Sequence, residues 1–260
     1  MSEPVSVPPR PTTWRAASAL SARAIRLSGR QLDALITALV LPVMLMLMFV
    51  YLFGGAIRTG GHYVTYVVPG VLLLCAGFGS AGTAVSVSQD MTGGIVDRLR
   101  SMDVGGTAVL AGHVAASVIR NAVSAAVVLG VAILIGFRPH ADLLGWLAAA
   151  GVLLAFVLAV SWFAAAIGLL ARSPEAANGF TFVVMFLPYA SSAFVPVSTM
   201  PSGLRGFAAH QPITPVIETL RGLLLGTPVG SRPWVALAWC AGILAVSAAA
   251  SGALFARRTA

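Results

Sequence analysis

Apolar stretches of about twenty residues recur six times along the chain, each bounded by polar, charged, glycine or proline positions. Twenty residues of helix, at 1.5 Å per residue, cross a hydrocarbon core of about 30 Å. The runs fall at about 34–53, 63–87, 117–136, 144–170, 177–197 and 234–255. Inside lipid every backbone group must be satisfied within its own segment, so runs of this length predict helices. The sequence lacks the short alternating segments of a membrane β-barrel. The expected fold is therefore an all-α integral membrane protein with six transmembrane helices.

The third run sets a boundary problem. Apolar residues resume near Val104, but His113 and Arg120 interrupt them. An arginine at the bilayer centre costs roughly 2.5–3.5 kcal/mol on insertion scales. Starting the span near Ser117 puts Arg120 one turn inside, where its long side chain can reach the headgroups. Residues 88–116 then become a long connection.

Composition supports the lipid setting. The chain of 260 residues is 58% hydrophobic and only 9% charged, too few charges to cover a soluble surface. Its net charge of +8 comes from arginine alone, since the sequence has no lysine. Those arginines lie at the ends of apolar runs rather than in a stripe, which argues against nucleic acid as a partner. With both termini on one side, that side carries ten arginines and the other five; the positive-inside bias then places both termini in the cytoplasm. Trp146 and Trp234 would lie at the outer boundary. The arginine bias, with heavy use of Ala, Gly and Val, fits a GC-rich bacterial genome and hence a bacterial plasma membrane. Cys75 and Cys240 sit in apolar runs as small hydrophobes. Without a CxxC pattern, no metal or redox site is expected.

The N-terminal segment 1–13 holds four prolines and is expected to be disordered. Residues 14–32 read as an amphipathic helix on the inner leaflet. Leu20, Ala24 and Leu27 share one face, and Arg15, Arg23, Arg26 and Arg30 share another, the pattern that docks on anionic lipid. A solvated cytoplasmic extension is the alternative. In the connection after the second run, Gly93-Gly94 breaks the helix. Residues 95–100 (IVDRLR) can form a short one with Asp97 and Arg100 three apart, and Gly105-Gly106 closes it. A charged helix between glycine hinges suits docking to another protein; an ordinary solvated loop is the alternative.

The connection 198–233 is long for a helix bundle. In Pro212-Ile213-Thr214-Pro215, Thr214 is a good N-cap and Pro215 fits the first helical position. Val216, Ile217, Leu220 and Leu224 continue at helical spacing, and Gly226 ends the helix. The spacing predicts short helices that dip into the outer leaflet and return. Glu218 and Arg221, three apart, would pair there, as a structural pair more readily than as a ligand site.

Several chemistries are excluded. Gly77 to Gly82 matches GxGxxG, but inside an apolar run with no preceding strand, so its glycines serve close helix packing instead. There is no GxxxxGK[ST] phosphate loop. No carboxylate lies deep in a span, against a proton-coupled carrier, and no serine–histidine pair falls at mid-membrane. The polar positions within spans are Ser80, Thr83, Ser86, Asn121, Ser124, Ser191 and Ser192. Each could line a substrate path or simply hydrogen-bond one helix to another. Pro188 should kink the fifth span.

Three stretches carry a resemblance. Gly93-Gly94-Ile95-Val96-Asp97-Arg98-Leu99-Arg100-Ser101 follows the second span. Phe194-Val195-Pro196-Val197-Ser198-Thr199-Met200-Pro201 closes the fifth. Gln211-Pro212-Ile213-Thr214-Pro215 precedes Glu218, Arg221 and Gly226. With the span order, they make residues 15–258 similar to the ABC-2 type permeases, near the daunorubicin-resistance membrane subunits. Asp103 departs from the proline that many members carry there.

This resemblance implies an N-terminal interfacial helix, six spans and outer re-entrant helices built around Pro212, Thr214, Pro215, Glu218 and Arg221. It also implies a coupling helix, with Asp90, Gly93, Gly94, Asp97, Arg98, Leu99 and Arg100 facing an ATPase subunit. Such permeases work as dimers above two ABC ATPase subunits. ATP and Mg would then belong to the partner chain, and this chain would hold no cofactor and catalyse nothing. Three functions follow: export of a hydrophobic drug, antibiotic or lipid-like product; export of a polysaccharide or glycolipid; or a non-transporting membrane sensor or assembly subunit.

Overall fold

The computed structural model describes residues 32–57, 61–93 and 106–259. Its α-helices are α1 (Leu32–Met48), α2 (Tyr63–Thr92), α3 (Gly106–Leu134), α4 (Leu143–Leu170), α5 (Pro174–Met185), α6 (Ser202–His210), α7 (Ile213–Leu225) and α8 (Arg232–Thr259). The expected segment 1–13 and the interfacial helix with Arg15, Arg23, Arg26 and Arg30 lie outside the described residues, except that Leu32 opens α1.

Among the described residues, four helices are long and apolar enough to cross a membrane: α2, α3, α4 and α8. Within its most apolar window α2 is 72% buried, against 28%, 28% and 22% for the other three. The bundle is therefore built around α2, with its neighbours presenting apolar faces outward. Val67, Val68, Val71 and Leu74 of α2 pack with Phe156 of α4 and Ile217, Leu220 and Leu224 of α7. Asp142 begins α4 by accepting a hydrogen bond from the Gly145 N–H at 2.8 Å, which satisfies one of the donors left open at a helix start. Gly226 ends α7 at φ 66°, left-handed backbone that glycine adopts without a Cβ penalty.

The third span departs from expectation. It begins at Gly106, not near Ser117, and α2 continues to Thr92. Residues 88–92 and 106–116 of the connection expected over 88–116 are thus helical, and Gly106 opens a helix instead of closing the loop. Consequently Arg120 sits at the midpoint of α3 and not one turn from its end. The arginine cost that motivated the shorter span is offset by acceptors on α2, described below.

The first and fifth spans are also built differently. After Met48 the first span continues as a π-helical turn, Phe49–Phe53. The fifth is not one helix over 177–197. It stops at Met185, tightens into a 3₁₀ turn at Leu187–Ala190, and then loses regular structure before a second 3₁₀ turn at Val197–Thr199. Pro188 occupies the start of the first 3₁₀ turn. Its ring and missing N–H end the α-helix, a break where a kink was expected.

Candidate functional site

The break in the fifth span lies against α7 and α2. Helical backbone satisfies itself, but irregular backbone at membrane depth needs partners from the protein around it. Four side chains supply them. Tyr63 Oη donates to the Phe194 carbonyl at 2.8 Å. Gln211 Nε2 donates to the Ala190 carbonyl at 2.6 Å. Thr214 Oγ1 accepts from the Ser192 N–H at 3.3 Å and donates to the Ala208 carbonyl at 2.6 Å. Arg221 Nη2 donates to the Ser192 carbonyl at 2.7 Å.

Arg221 also reaches α2. Its Nε and Nη2 donate to the Tyr66 carbonyl at 3.2 and 3.1 Å, and its guanidinium carbon lies 3.7 Å from the centre of the Tyr66 ring. The planar fork lets one cation hold two carbonyls and an aromatic face together. Close approach completes the junction: a Cβ on Gly70 of α2 would come within 2.6 Å of the Ala193 Cβ.

Two expectations for this region are corrected. Thr214 does not cap α7, because the helix already begins at Ile213, with Pro212 in the capping position and no side-chain cap. Its hydroxyl is engaged by Ser192 and Ala208 instead. Nor does Glu218 pair with Arg221: the Glu218 carboxylate meets Arg232 at 3.1 Å, while Arg221 turns toward the carbonyls. The bond-rich pocket of carbonyls offers the guanidinium more partners than one half-exposed carboxylate does. Pro215 lies inside the first turn of α7, where its missing N–H has no helical acceptor to lose.

Six of the seven polar positions inside the spans divide into two groups, and the seventh, Ser86, is half-buried on α2. Ser80, Thr83, Asn121 and Ser124 gather where α2, α3 and α4 meet. Asn121 Nδ2 donates to the Ser117 carbonyl at 3.0 Å and to Ser80 Oγ at 3.4 Å. The Ser161 hydroxyl joins Ser117 at 2.8 Å and Ser80 at 3.3 Å. Ser124 hydrogen-bonds the Cys75 thiol. Arg120 belongs to this group and does not reach for headgroups: Nη2 donates to the Gly79 carbonyl at 3.0 Å and to Thr83 Oγ1 at 3.2 Å. A side chain on Gly79 would collide with the Asn121 amide, so this one glycine of the GxGxxG stretch serves close packing; a Cβ on Gly77 would meet open space and one on Gly82 only an ordinary contact with Arg120. Ser191 and Ser192 lie in the broken fifth span, with Ser191 Oγ bonded to the Pro188 carbonyl.

At the other end of α2, the Asp90 carboxylate hydrogen-bonds His113 Nε2 of α3 at 3.0 Å. Gly93 ends α2, its N–H bonded to the Gln89 carbonyl at 2.8 Å. The remaining coupling residues, Gly94, Asp97, Arg98, Leu99 and Arg100, lie outside the described residues.

Sequence reasoning missed Tyr63, Tyr66, Ser117 and Ser161, and assigned Arg120 to the membrane surface. An arginine inside an apolar run was a visible signal of intramembrane partners. The role of the Tyr66 backbone carbonyl had no signal at all.

Four apolar helices of membrane-crossing length, with an irregular segment sealed by protein donors, define a multi-pass α-helical membrane protein. The chain belongs to the ABC-2 type transporter family, which it matches over residues 15–225. It is similar to a daunorubicin resistance ABC transporter permease protein of Streptomyces coeruleorubidus, 32% identical over 82% of this chain and 76% of that one. It is also similar to a probable doxorubicin resistance ABC transporter permease protein from two strains of Mycobacterium tuberculosis, 28% identical over 85% of this chain and 80% of the relative.

Proposed function

We propose that this chain is the permease subunit of an ABC exporter that moves a hydrophobic drug, antibiotic or lipid-like compound out of a bacterial cell. The carrying observation is the family match over residues 15–225, together with relatives named for daunorubicin and doxorubicin resistance that align over most of their length. That match favours drug export over polysaccharide export and over a non-transporting role.

In this reading the first and fifth spans join the four long helices as six crossings, and both termini are cytoplasmic. Two permeases stand above two ATPase subunits, which bind ATP and Mg. ATP binding closes the ATPases, and each pushes on residues 90–103 of one permease, where Asp90, Gly93, Gly94, Asp97, Arg98, Leu99 and Arg100 receive the push. The interfacial helix 14–32 moves with it, and the permease halves tilt to open a path outward. The Asp90–His113 pair supports this arrangement by tying the end of α2 to the start of α3, so that motion at the loop is passed to both helices. Helices α6 and α7 re-enter the outer leaflet. Their clasp on the fifth span makes α7 and the break move as one piece.

Replacing Asp97, Arg98 and Arg100 with alanine tests the coupling. The variant should fold and reach the membrane yet no longer co-purify with its ATPase or stimulate it. Full drug-stimulated ATP hydrolysis by that variant would refute the assignment.

A further inference from the structure

An apolar cavity of about 320 Å³, open on one side, lies beside the break in the fifth span. Pro188 of the break and Ile213 at the start of α7 line it, and so do Leu74 of α2 and Phe156 of α4, all four buried. Gly77 of α2 also faces it, and a Cβ there would meet nothing within 4 Å.

We propose that this cavity holds one acyl chain of a membrane lipid, which enters sideways between α8 and the fifth span. The site is independent of what the protein exports.

Three observations carry it. The first is chemical. Among the described residues that line the cavity, every side chain is pure hydrocarbon, apart from the glycine. The carbonyls of the break are already taken: Gln211 Nε2 donates to Leu187 at 3.4 Å, and Ser191 Oγ donates to Pro188. A buried water needs two to four polar partners, and a drug-like ligand is oriented by a few polar groups. Neither finds them here. An engineered apolar cavity of about 150 Å³ stays dry and takes benzene. At about 320 Å³ this one is larger, and left empty its walls would forfeit their dispersion contacts.

The second observation is depth. Leu74 and Ile243 each lie eleven residues from the first residue of their helix, Tyr63 and Arg232. At 1.5 Å per residue that is about 17 Å, near the middle of a ~30 Å hydrocarbon core. Lipid tails reach that depth and headgroups do not.

The third is access. Phe163 of α4, Leu187 of the break and Ile243 of α8 line the cavity and are only half-buried. Beside them Phe186 is 56% exposed, and Val246, one turn beyond Ile243, is 70% exposed. Apolar surface thus continues from the outside of the bundle to the cavity, and a tail can follow it without crossing a polar group. Seated there, the tail packs on Pro188 and Ile213, so the bilayer completes the junction that the clasp of α7 begins.

The test uses the full chain in nanodiscs of phosphatidylglycerol bearing a diazirine at the middle of one acyl chain. After irradiation, peptide mass spectrometry locates the adducts. Wild type should carry them at Pro188 and Ile213 as well as at outward-facing Val246. Gly77→Leu fills the open space and should lose most adducts at Pro188 and Ile213 while keeping those at Val246; Gly77→Ala should keep both sets. If Gly77→Leu fails to assemble by size-exclusion chromatography, Ile243→Trp narrows the entrance from α8 and carries the same expectation. Delipidation should lower the melting temperature of wild type more than that of the filled variant. Wild-type adducts at Val246 with none at Pro188 or Ile213 overturn the site. So do adducts there that persist in the filled variant, an equal loss of stability on delipidation, or a non-lipid molecule retained in the cavity in native mass spectra. ATP-driven efflux by the complex with its ATPase tests the exporter reading separately.

Discussion

The guanidinium of Arg221 covers the Tyr66 ring at 3.7 Å while donating two hydrogen bonds to the carbonyl of the same residue. Its third contact, to the Ser192 carbonyl at 2.7 Å, makes one side chain the link among α7, α2 and the broken fifth span. The motif that precedes α7 thus works as a clasp on irregular backbone. Loss of the clasp should appear first as lost stability and then as lost transport.

Arg221→Ala removes three hydrogen bonds and a cation–π contact from a buried junction. Charge-assisted hydrogen bonds contribute more than neutral ones, but a chain unfolded within the membrane finds other partners and narrows the difference. The expected loss is about 2–4 kcal/mol. Arg221→Lys keeps the charge without the planar fork and should lose roughly half as much. Thermal unfolding of the detergent-solubilised protein, followed by size-exclusion fluorescence, measures both, and a lysine variant as stable as wild type contradicts the fork.

Thr214 carries one donor and one acceptor in the same clasp. Thr214→Val keeps the shape and deletes both bonds, for an expected cost of about 1 kcal/mol; Thr214→Ser should restore most of it. Had Thr214 been an N-cap, helix content would fall in the valine variant. Far-UV circular dichroism should instead show no change.

Gly70 tests the closeness of α2 to the fifth span. A methyl group there meets Ala193 Cα at 2.7 Å and its carbonyl at 2.8 Å. Backbone cannot swing aside as a flexible side chain does, so Gly70→Ala should cost about 1–3 kcal/mol. Gly77→Ala, with open space at its Cβ, is the control on the same helix and should melt with the wild type.

Arg120→Leu should behave in the opposite way. The Gly79 carbonyl that accepts from Arg120 is also placed to accept a bond within its own helix, so removing the guanidinium leaves that carbonyl paired. Burying the charge is itself costly. The melting temperature should stay within a few degrees of wild type, and insertion of the third span should become easier by roughly 2.5–3.5 kcal/mol. A severe fall in stability would show that the cation is a structural keystone of the α2–α3–α4 polar group.

Legibility in the sequence followed a physical rule. The second, fourth and sixth spans were bounded to within a few residues because uninterrupted apolar runs in lipid leave the backbone no alternative to a helix. Gly226 was legible because a left-handed helix end selects glycine. The start of the third span was not, since the acceptors that let Arg120 lie at mid-helix are on α2. The Glu218–Arg221 pairing failed for a related reason. Spacing along one helix finds neighbours on that helix, but Tyr66 and Ser192 reach Arg221 from elsewhere in the chain.

By itself the sequence determined that this protein lives in lipid, is helical, and carries a proline- and glycine-marked motif before its last span. Those features follow from local composition and backbone chemistry. Pro188 marked a disturbance in the fifth span, but tertiary structure alone decided that Arg221, Thr214, Gln211 and Tyr63 hold the break there, and that rings from two spans, Phe49 and Phe194, meet. Hydrogen bonds and ring contacts between distant segments depend on distances in space, and linear spacing does not encode them.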